Sequence, residues 1–153
     1  MNNIKYLTKL FNDHYAGNPW IDTTMMGTLS SLTAKQAAMK AGKNNSIWQI
    51  VNHMIAWRRA LLTRVKGSPV KVPGNNFFTP VKDTSPRAWK DTLKKFERSQ
   101  KEIIAFLKKA DESVLEIISP TSGYSYYELT IAILLHDTYH IGQIVLLKKE
   151  LEK

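Results

Sequence analysis

The spacing of the apolar residues is the feature that most constrains this chain. They recur three and four positions apart, which places side chains on one face of an α-helix. No segment alternates convincingly with the period of two that a half-buried strand requires. At 153 residues the chain fits one domain with one sizeable core. The sequence therefore predicts a single all-α domain over residues 1–153.

Four long helices are predicted, most of them from a recognisable start signal. Ser46 with Gln49, and Ser125 with Glu128, match the capping box, in which two side chains satisfy backbone donors of the first helical turn. Ser85-Pro86 is a further start, with a cap residue followed by proline in the first turn. The predicted helices cover about residues 3–16, 46–66, 85–110 and 125 to the C-terminus.

The segments between these helices differ in character. Residues 21–42 are predicted to form short helical turns joined at Gly27 and Thr33, and residues 111–118 to add a further turn or two. Residues 67–84 contain three prolines and two glycines, which predicts a long loop. Such a loop commonly serves as a crossover or as a lid over a site. The fold prediction is thus a four-helix bundle with a long connection between its second and third helices, an architecture that builds metal sites from facing helices.

Composition limits the possible chemistry. The chain has no cysteine, so disulfides, thiolate metal ligands and a cysteine nucleophile are all excluded. Any metal must be held by nitrogen and oxygen atoms. The N-terminal segment lacks the apolar stretch of a secretory signal, and no apolar run approaches the roughly 20 residues that span a bilayer. We therefore expect a cytoplasmic protein that does not act in a membrane.

Three of the four histidines lie where a buried polar group needs an explanation. His136 and His140 are one turn apart on the last helix and project into its apolar stripe. A pair of imidazolium ions there would be costly, because of desolvation and mutual repulsion. Neutral imidazoles at this spacing can instead chelate one metal ion. His53, on the second helix, is the natural third ligand, and the alternative for each residue is a hydrogen-bonded core histidine.

His14 is the remaining histidine and lies on the apolar face of the first helix. It is either a fourth ligand or a capping or packing residue. The zinc-protease arrangement is absent, because Asp137 and not glutamate follows His136 and points about 100° away from it. Metal-dependent proteolysis is therefore disfavoured.

A formal net charge of +9 raises the question of nucleic acid. Lys94, Arg98, Lys101 and Lys108 fall within about 60° of one another on the third helix. No aromatic residue interleaves with these bases, and no motif that reads RNA or DNA is present. The pattern is typical of the solvated face of an amphipathic helix, and a nucleic-acid partner is disfavoured.

Several blocks of sequence resemble one known family. Residues 136–144, HDTYHIGQI, resemble the C-terminal signature of the DinB/YfiT-like family, and residues 46–57, SIWQIVNHMIAW, are similar to its second-helix block. Residues 17–20, GNPW, are similar to its early Gly-x-x-Trp turn, and Trp89 matches the tryptophan near the start of its third helix. These blocks occur in the family's order over nearly the whole chain.

The resemblance implies a four-helix bundle, often a homodimer, with one nickel or zinc ion on His53, His136 and His140. Some relatives are transferases that join a low-molecular-weight thiol such as bacillithiol, mycothiol or glutathione to an electrophile, and many have no established activity. We therefore expect a divalent-metal-dependent S-transferase. The alternative is a non-enzymatic, stress-related metal-binding bundle. Gln143 and Tyr139 are the candidates for orienting the imidazoles or the incoming ligand.

Two positions depart from the family's pattern. Asn45 stands where many relatives have histidine, and residues 21–23 follow Trp20 where relatives often have histidine or small residues. Both are expected near the mouth of the site, so they bear on the substrate and not on the metal. Trp57, one turn beyond His53, is predicted to pack in the core or to line the pocket.

Overall fold

Helices are the regular elements of this chain. The computed structural model describes residues 2–152, and within that range it contains seven helices and no strand, with an isolated bridge between Ile118 and Ser125. The all-α prediction is confirmed. Four helices are long and match the predicted segments, and three helices of five residues each lie where short turns were predicted. The helices are α1 (Asn3–Ala16), α2 (Met25–Leu29), α3 (Ala34–Ala38), α4 (Ile47–Arg64), α5 (Pro86–Lys109), α6 (Glu112–Glu116) and α7 (Tyr126–Leu151).

The predicted start signals of α4 and α7 are present as capping boxes. Ser46 Oγ accepts a hydrogen bond from the Gln49 N–H at 3.2 Å, and Gln49 Oε1 accepts one from the Ser46 N–H at 3.1 Å. Ser125 and Glu128 make the same reciprocal pair at the start of α7. A third box, at Thr33–Gln36, starts α3 and was not predicted. Reciprocal capping satisfies backbone donors that would otherwise lack partners, so each box fixes where its helix begins.

The four long helices enclose the core. α4 packs against α5 and α7, and α1 packs against the same two helices, while α2 and α3 cover one end. The apolar faces of these helices meet in two clusters of buried side chains. Members with the least exposure include Leu7, Phe11, Ile47, Val51, Met54, Leu61, Phe96, Ile103 and Ile144. This arrangement sets α4, which carries His53, against α7, which carries His136 and His140.

A buried ion pair joins the same two helices. Arg58 donates from Nε and Nη2 to Asp137 Oδ2 at 2.9 and 2.8 Å. Its Nη1 donates to Gln100 Oε1 at 3.1 Å, and its guanidinium lies 4.3 Å from the centroid of the Phe96 ring. A buried charge is costly unless it is paired and hydrogen-bonded. The pair therefore ties α4 to α7 beside the predicted site, since Asp137 directly follows His136.

The segment between α4 and α5 contains turns but no helix or strand. Within it Asn76 and Phe77 adopt positive φ angles of 51° and 63°. This left-handed conformation is rare for a bulky residue such as Phe77, and it is found where the surrounding structure holds it in place. The turn directs the Asn76 carbonyl and the Phe78 ring onto His53.

One helix, α7, is long and apolar enough to cross a membrane when judged by length and composition alone. Core helices pass the same test, and 44% of its most apolar window is buried within the protein. The helix also carries buried Asp137 and His140. These polar groups face other helices of the same chain, Arg58 of α4 in the case of Asp137.

Candidate metal centre

The structure brings His53, His136 and His140 together between α4 and α7. Their candidate ligand nitrogens all lie within 4.8 Å of one another. His136 Nε2 is 2.9 Å from His53 Nε2 and 3.1 Å from His140 Nε2. The side chains of His53 and His140 are almost fully buried, with 1% and 4% of each residue exposed, whereas His136 is partly open to solvent. This grouping was predicted from the spacing of His136 and His140 on the last helix and from the position of His53 on the second.

Hydrogen bonds fix which nitrogen of two imidazoles carries the proton. His53 Nδ1 lies 2.6 Å from the Asn76 carbonyl oxygen, which can only accept, so Nδ1 donates. His140 Nδ1 donates to Gln143 Oε1 at 2.7 Å, and Gln143 Nε2 in turn donates to the Tyr139 hydroxyl at 3.0 Å. In the neutral imidazoles the Nε2 atoms of His53 and His140 therefore present lone pairs to the centre of the cluster.

His136 completes a set of three Nε2 atoms that lie within hydrogen-bond distance. Too few of these atoms carry a proton for both of the short contacts to be hydrogen bonds. His136 Nε2 could donate to only one of its two neighbours. Its Nδ1 is buried without a partner and lies 3.8 Å from Asp137 Oδ1, a buried acceptor that also has none. A proton on Nδ1 of His136 would face that carboxylate and leave three Nε2 lone pairs converging. Such a donor set fits a divalent cation, whose histidine ligands usually have a carbonyl, amide or carboxylate behind them.

Burial keeps two of these imidazoles neutral. It lowers the pKa of His53 from its ordinary value to about 4, even though the bond to the Asn76 carbonyl favours the charged form. Burial also lowers the pKa of His140, and the neighbouring His136 acts in the same direction. Metal binding requires unprotonated imidazole, so at neutral pH these ligands need lose no proton.

Aromatic rings shield one side of the cluster. The Phe78 ring is stacked on His53, with centroids 4.0 Å apart and planes inclined by 7°. Trp57 approaches His53 edge-on with centroids 6.5 Å apart, and its indole N–H donates to Asn76 Oδ1 at 3.2 Å. The connection between α4 and α5 thus contributes both a hydrogen-bond acceptor and a cover for His53.

Two cavities adjoin the cluster, and His136 lines both of them. The first has a volume of about 640 Å³ and a partly polar wall that includes Asn45 and Gln143. The second has a volume of about 570 Å³ and a largely apolar wall that includes Trp57 and Leu129. The cluster is therefore accessible from two sides of different chemical character.

The other predicted site residues have distinct positions. Gln143 contacts His140 directly, while Tyr139 is hydrogen-bonded to Gln143, packs edge-on against the His140 ring with centroids 5.1 Å apart, and is largely exposed. His14 is not part of the cluster: its Nδ1 lies 3.5 Å from the hydroxyl of Thr138. Asn45 lines the polar cavity, as expected.

Residues 21–23 do not lie where they were expected. Asp22 and Thr23 line a different cavity, together with Lys148, and not the mouth of the histidine cluster. The short helices α2 and α3 between this turn and α4 could not be positioned from sequence, because their packing depends on distant parts of the chain.

Sequence reasoning missed Asn76, Phe78 and Asp137 as neighbours of the cluster. The first two lie in a segment with no periodicity, and Asn76 acts through its backbone carbonyl, which every residue has. A signal was present in the Asn-Phe-Phe run at 76–78, since two aromatic residues in a long polar loop suggest that the loop packs on something. The helical spacing predicted that Asp137 points away from His136 and His140. The position of its unpartnered Oδ1, 3.8 Å from His136 Nδ1, depends on helix packing.

The basic face of α5 is interleaved with acids. Lys94 lies 3.9 Å from Asp91, and Lys101 lies 2.7 Å from Glu97. These ion pairs follow the spacing of successive helical turns and lie on the exposed side of the helix. They reduce the positive field of this face, which agrees with its interpretation as a solvated surface.

Comparison with known proteins gives one match. The family model of the DinB superfamily matches residues 23–144, a range that contains all three clustered histidines and the connection that covers His53. No curated protein and no solved structure shows a significant match to the chain. The match covers most of the sequence and agrees with the all-helical fold and the resemblance of residues 46–57 and 136–144. The chain therefore belongs to the DinB superfamily.

Proposed function

We propose that this protein is a cytoplasmic, divalent-metal-dependent S-transferase that joins a low-molecular-weight thiol to a small electrophile. The observation that carries the proposal is the convergence of three histidine nitrogens, two of them held as lone-pair donors by bonds to Asn76 and Gln143. Three nitrogen ligands from a protein leave coordination positions for a further ligand, as in catalytic zinc sites. Nickel or zinc suits imidazole ligands.

His53, His136 and His140 would hold the ion, and a thiol coordinated to it would be available as thiolate at neutral pH. Because the chain has no cysteine, the sulfur comes from a diffusible thiol such as bacillithiol, mycothiol or glutathione. In the reaction a bond forms between sulfur and the electrophilic carbon. The proton of the thiol leaves with the displaced group or, in an addition, ends on the neighbouring atom of the electrophile.

The chain's own residues position and shield the reactants. The polar cavity, with Asn45, Asn76 and Gln143 in its wall, offers amide groups to a hydrophilic thiol. Phe78 and the buried faces of α4 and α7 keep water from His53. Gln143 orients His140 and, through the Tyr139 hydroxyl, extends the hydrogen-bonded network to the surface. We assign Gln143 and Tyr139 to positioning and not to proton transfer.

Metal content tests the first half of the proposal. Tag-free protein is expected to carry about one nickel or zinc ion per chain, and His53→Ala and His136→Ala are expected to lose it, because two nitrogen ligands bind far more weakly than three. Mass spectrometry of the purified protein measures this, and His14→Ala, outside the cluster, serves as the matched control. Failure of wild-type protein to retain added zinc or nickel contradicts the assignment.

Thiol consumption tests the second half. Metal-loaded protein is incubated with bacillithiol, mycothiol or glutathione and a chlorinated aromatic electrophile, and free thiol is measured over time. Acceleration that disappears in His136→Ala and on chelation supports the transferase. A protein that binds one metal ion but accelerates none of these reactions is instead the non-enzymatic metal-binding bundle.

A further inference from the structure

The apolar cavity beside His136 has a composition unlike that of the polar one. Its wall contains Trp57, Leu61, Leu129 and Ile133, and its volume of about 570 Å³ lies within the range of sites for small organic ligands. Leu61, Leu129 and Ile133 are also members of one of the two core clusters, so the cavity opens directly from the apolar core. A hydrophilic thiol gains little from such a wall, so the cavity suits a different kind of molecule.

A single cationic side chain in this wall has an unused donor. Arg64, the last residue of α4, lines the cavity, and its Nε is buried without a hydrogen-bond partner. Its guanidinium carbon lies 5.7 Å from the centroid of the Trp57 ring. A buried, unpaired donor on a charged group is costly, and the position at a helix C-terminus offsets only part of that cost. An anion in the cavity that accepts from the two Nη groups would pair the guanidinium charge with two parallel hydrogen bonds.

The one carboxylate in the cavity wall does not fill this role. Glu128 Oε2 accepts from the backbone N–H and the hydroxyl of Ser125 at 2.7 and 2.9 Å, as part of the capping box of α7. These bonds lower the pKa of Glu128 and hold it at the helix start. Among the described residues no acidic side chain forms a salt bridge with Arg64.

We propose that this cavity binds an organic acid with an apolar body, whose carboxylate pairs with Arg64 and whose apolar part lies along Trp57 toward His136. As a binding site the assignment stands on the cavity and on the Arg64 guanidinium in its wall, which no described acidic side chain pairs. As the identity of the electrophile it rests on the proposed transfer reaction. On that basis the two substrates approach the metal centre from opposite cavities, the thiol from the polar side and the organic acid from the apolar side.

Binding is tested without any thiol, so that its outcome does not depend on transferase activity. Calorimetric titration of the protein as purified compares 4-phenylbutyrate with its neutral amide. The carboxylate is expected to bind at least about tenfold more tightly, the lower end of the effect of one charge-assisted hydrogen bond. Arg64→Gln is expected to remove this preference. Arg59→Gln makes the same change in charge on an exposed residue of the same helix that lines another groove, and it should bind as wild type.

Each outcome bears on the proposal. Equal affinity for acid and amide in wild-type protein overturns it, whatever the variants do. A preference for the acid that persists in Arg64→Gln overturns it as well, because the carboxylate would then be bound elsewhere, for example directly by the metal. Preference lost in Arg64→Gln and kept in Arg59→Gln supports the site, and it does so even if thiol-transfer assays fail, in which case only the proposed function is wrong.

Discussion

At the scale of single residues, the three clustered histidines are distinguished by what lies behind each ring. His53 has a backbone carbonyl, His140 has an amide oxygen, and His136 has a carboxylate oxygen 3.8 Å away. The first two contacts hold the proton on Nδ1 and turn Nε2 inward. The third leaves room for a small shift that would bring Asp137 Oδ1 into hydrogen-bond range. Each of the three rings thus has a different kind of acceptor on its outer side.

Stability of the metal-free protein should fall as the pH drops from about 6.5 to about 4. The pKa of His53 is about 4 in the fold and near 6.5 when unfolded, so the unfolded state binds more protons in this window. Stability therefore rises with pH across it, by up to about 3 kcal/mol for this group. Urea denaturation of chelator-treated protein between about pH 7.5 and pH 4.5 measures the slope. His53→Gln should flatten it and His14→Gln should not; an unaltered slope in His53→Gln would contradict the prediction.

Gln143→Leu should weaken metal binding about 10- to 100-fold, the usual effect of removing the partner of a histidine ligand. His140 would lose the acceptor of its Nδ1 proton and with it a fixed ring orientation. Competition with a chromophoric chelator measures the affinity. Tyr139→Phe removes only the outer member of this network and should change the affinity much less. Equal losses in both variants would show that Gln143 does not act on His140 directly.

At the scale of elements, the packing of α4 against α7 determines the site, and the Arg58–Asp137 ion pair joins these two helices. Both residues are buried, and replacing a buried ion pair by well-packed apolar residues is often neutral for stability. The pair lies next to His136, so it also restrains the site. It opposes rotation of either helix about its axis, which would separate the histidines. The connection after α4 adds a second restraint, since Gln49 Nε2 donates to the Thr79 carbonyl at 3.3 Å.

Asp137→Asn should lower the free energy of unfolding by about 3 kcal/mol or more, because Arg58 would remain buried without a counter-charge. The double variant Arg58→Met with Asp137→Leu should recover much of that loss, since no charge would be left unpaired. Chemical denaturation of wild type, Arg58→Met, Asp137→Leu and the double variant in a double-mutant cycle measures the coupling. Purely additive losses would mean that the two side chains contribute independently and would refute the argument.

At the scale of the whole molecule, α7 presents one face to the core and exposes several large apolar side chains to solvent. Leu135, Tyr139 and Leu146 are 63%, 63% and 64% exposed, with one turn between the first two and two turns between the last two. Gly142 lies among them with open space where a side chain would be. The glycine lets two helices approach closely and the exposed apolar groups around it would be buried by the contact, so we propose that this face pairs with the same face of a second copy.

Leu135→Glu and Leu146→Glu should each convert a homodimer to monomers, because the symmetric contact would place like charges near one another in a desolvated interface. Sedimentation velocity measures the mass. Tyr6→Glu makes a comparable change at an exposed aromatic residue of α1 and should leave the dimer intact. A wild-type protein that sediments as a monomer at high concentration would rule out the pairing.

Local patterns in the sequence were sufficient for the helices and for grouping the three histidines as candidate ligands. Helical periodicity and the Ser-x-x-Gln and Ser-x-x-Glu boxes predicted the four long helices to within two residues at most ends, because capping and amphipathicity are local effects. A histidine pair at i and i+4 in an apolar stripe indicated metal chemistry, since neutral imidazoles at this spacing can chelate one ion.

Tertiary structure decided what surrounds the ligands. The Asn76 carbonyl, the Phe78 ring and the Asp137 carboxylate reach the cluster through a turn without periodicity and through the packing of α4 on α7. The same packing sets a polar cavity on one side of His136 and an apolar cavity with Arg64 on the other. Sequence spacing specifies which side chains share a face, but which faces meet depends on contacts between residues far apart in the chain.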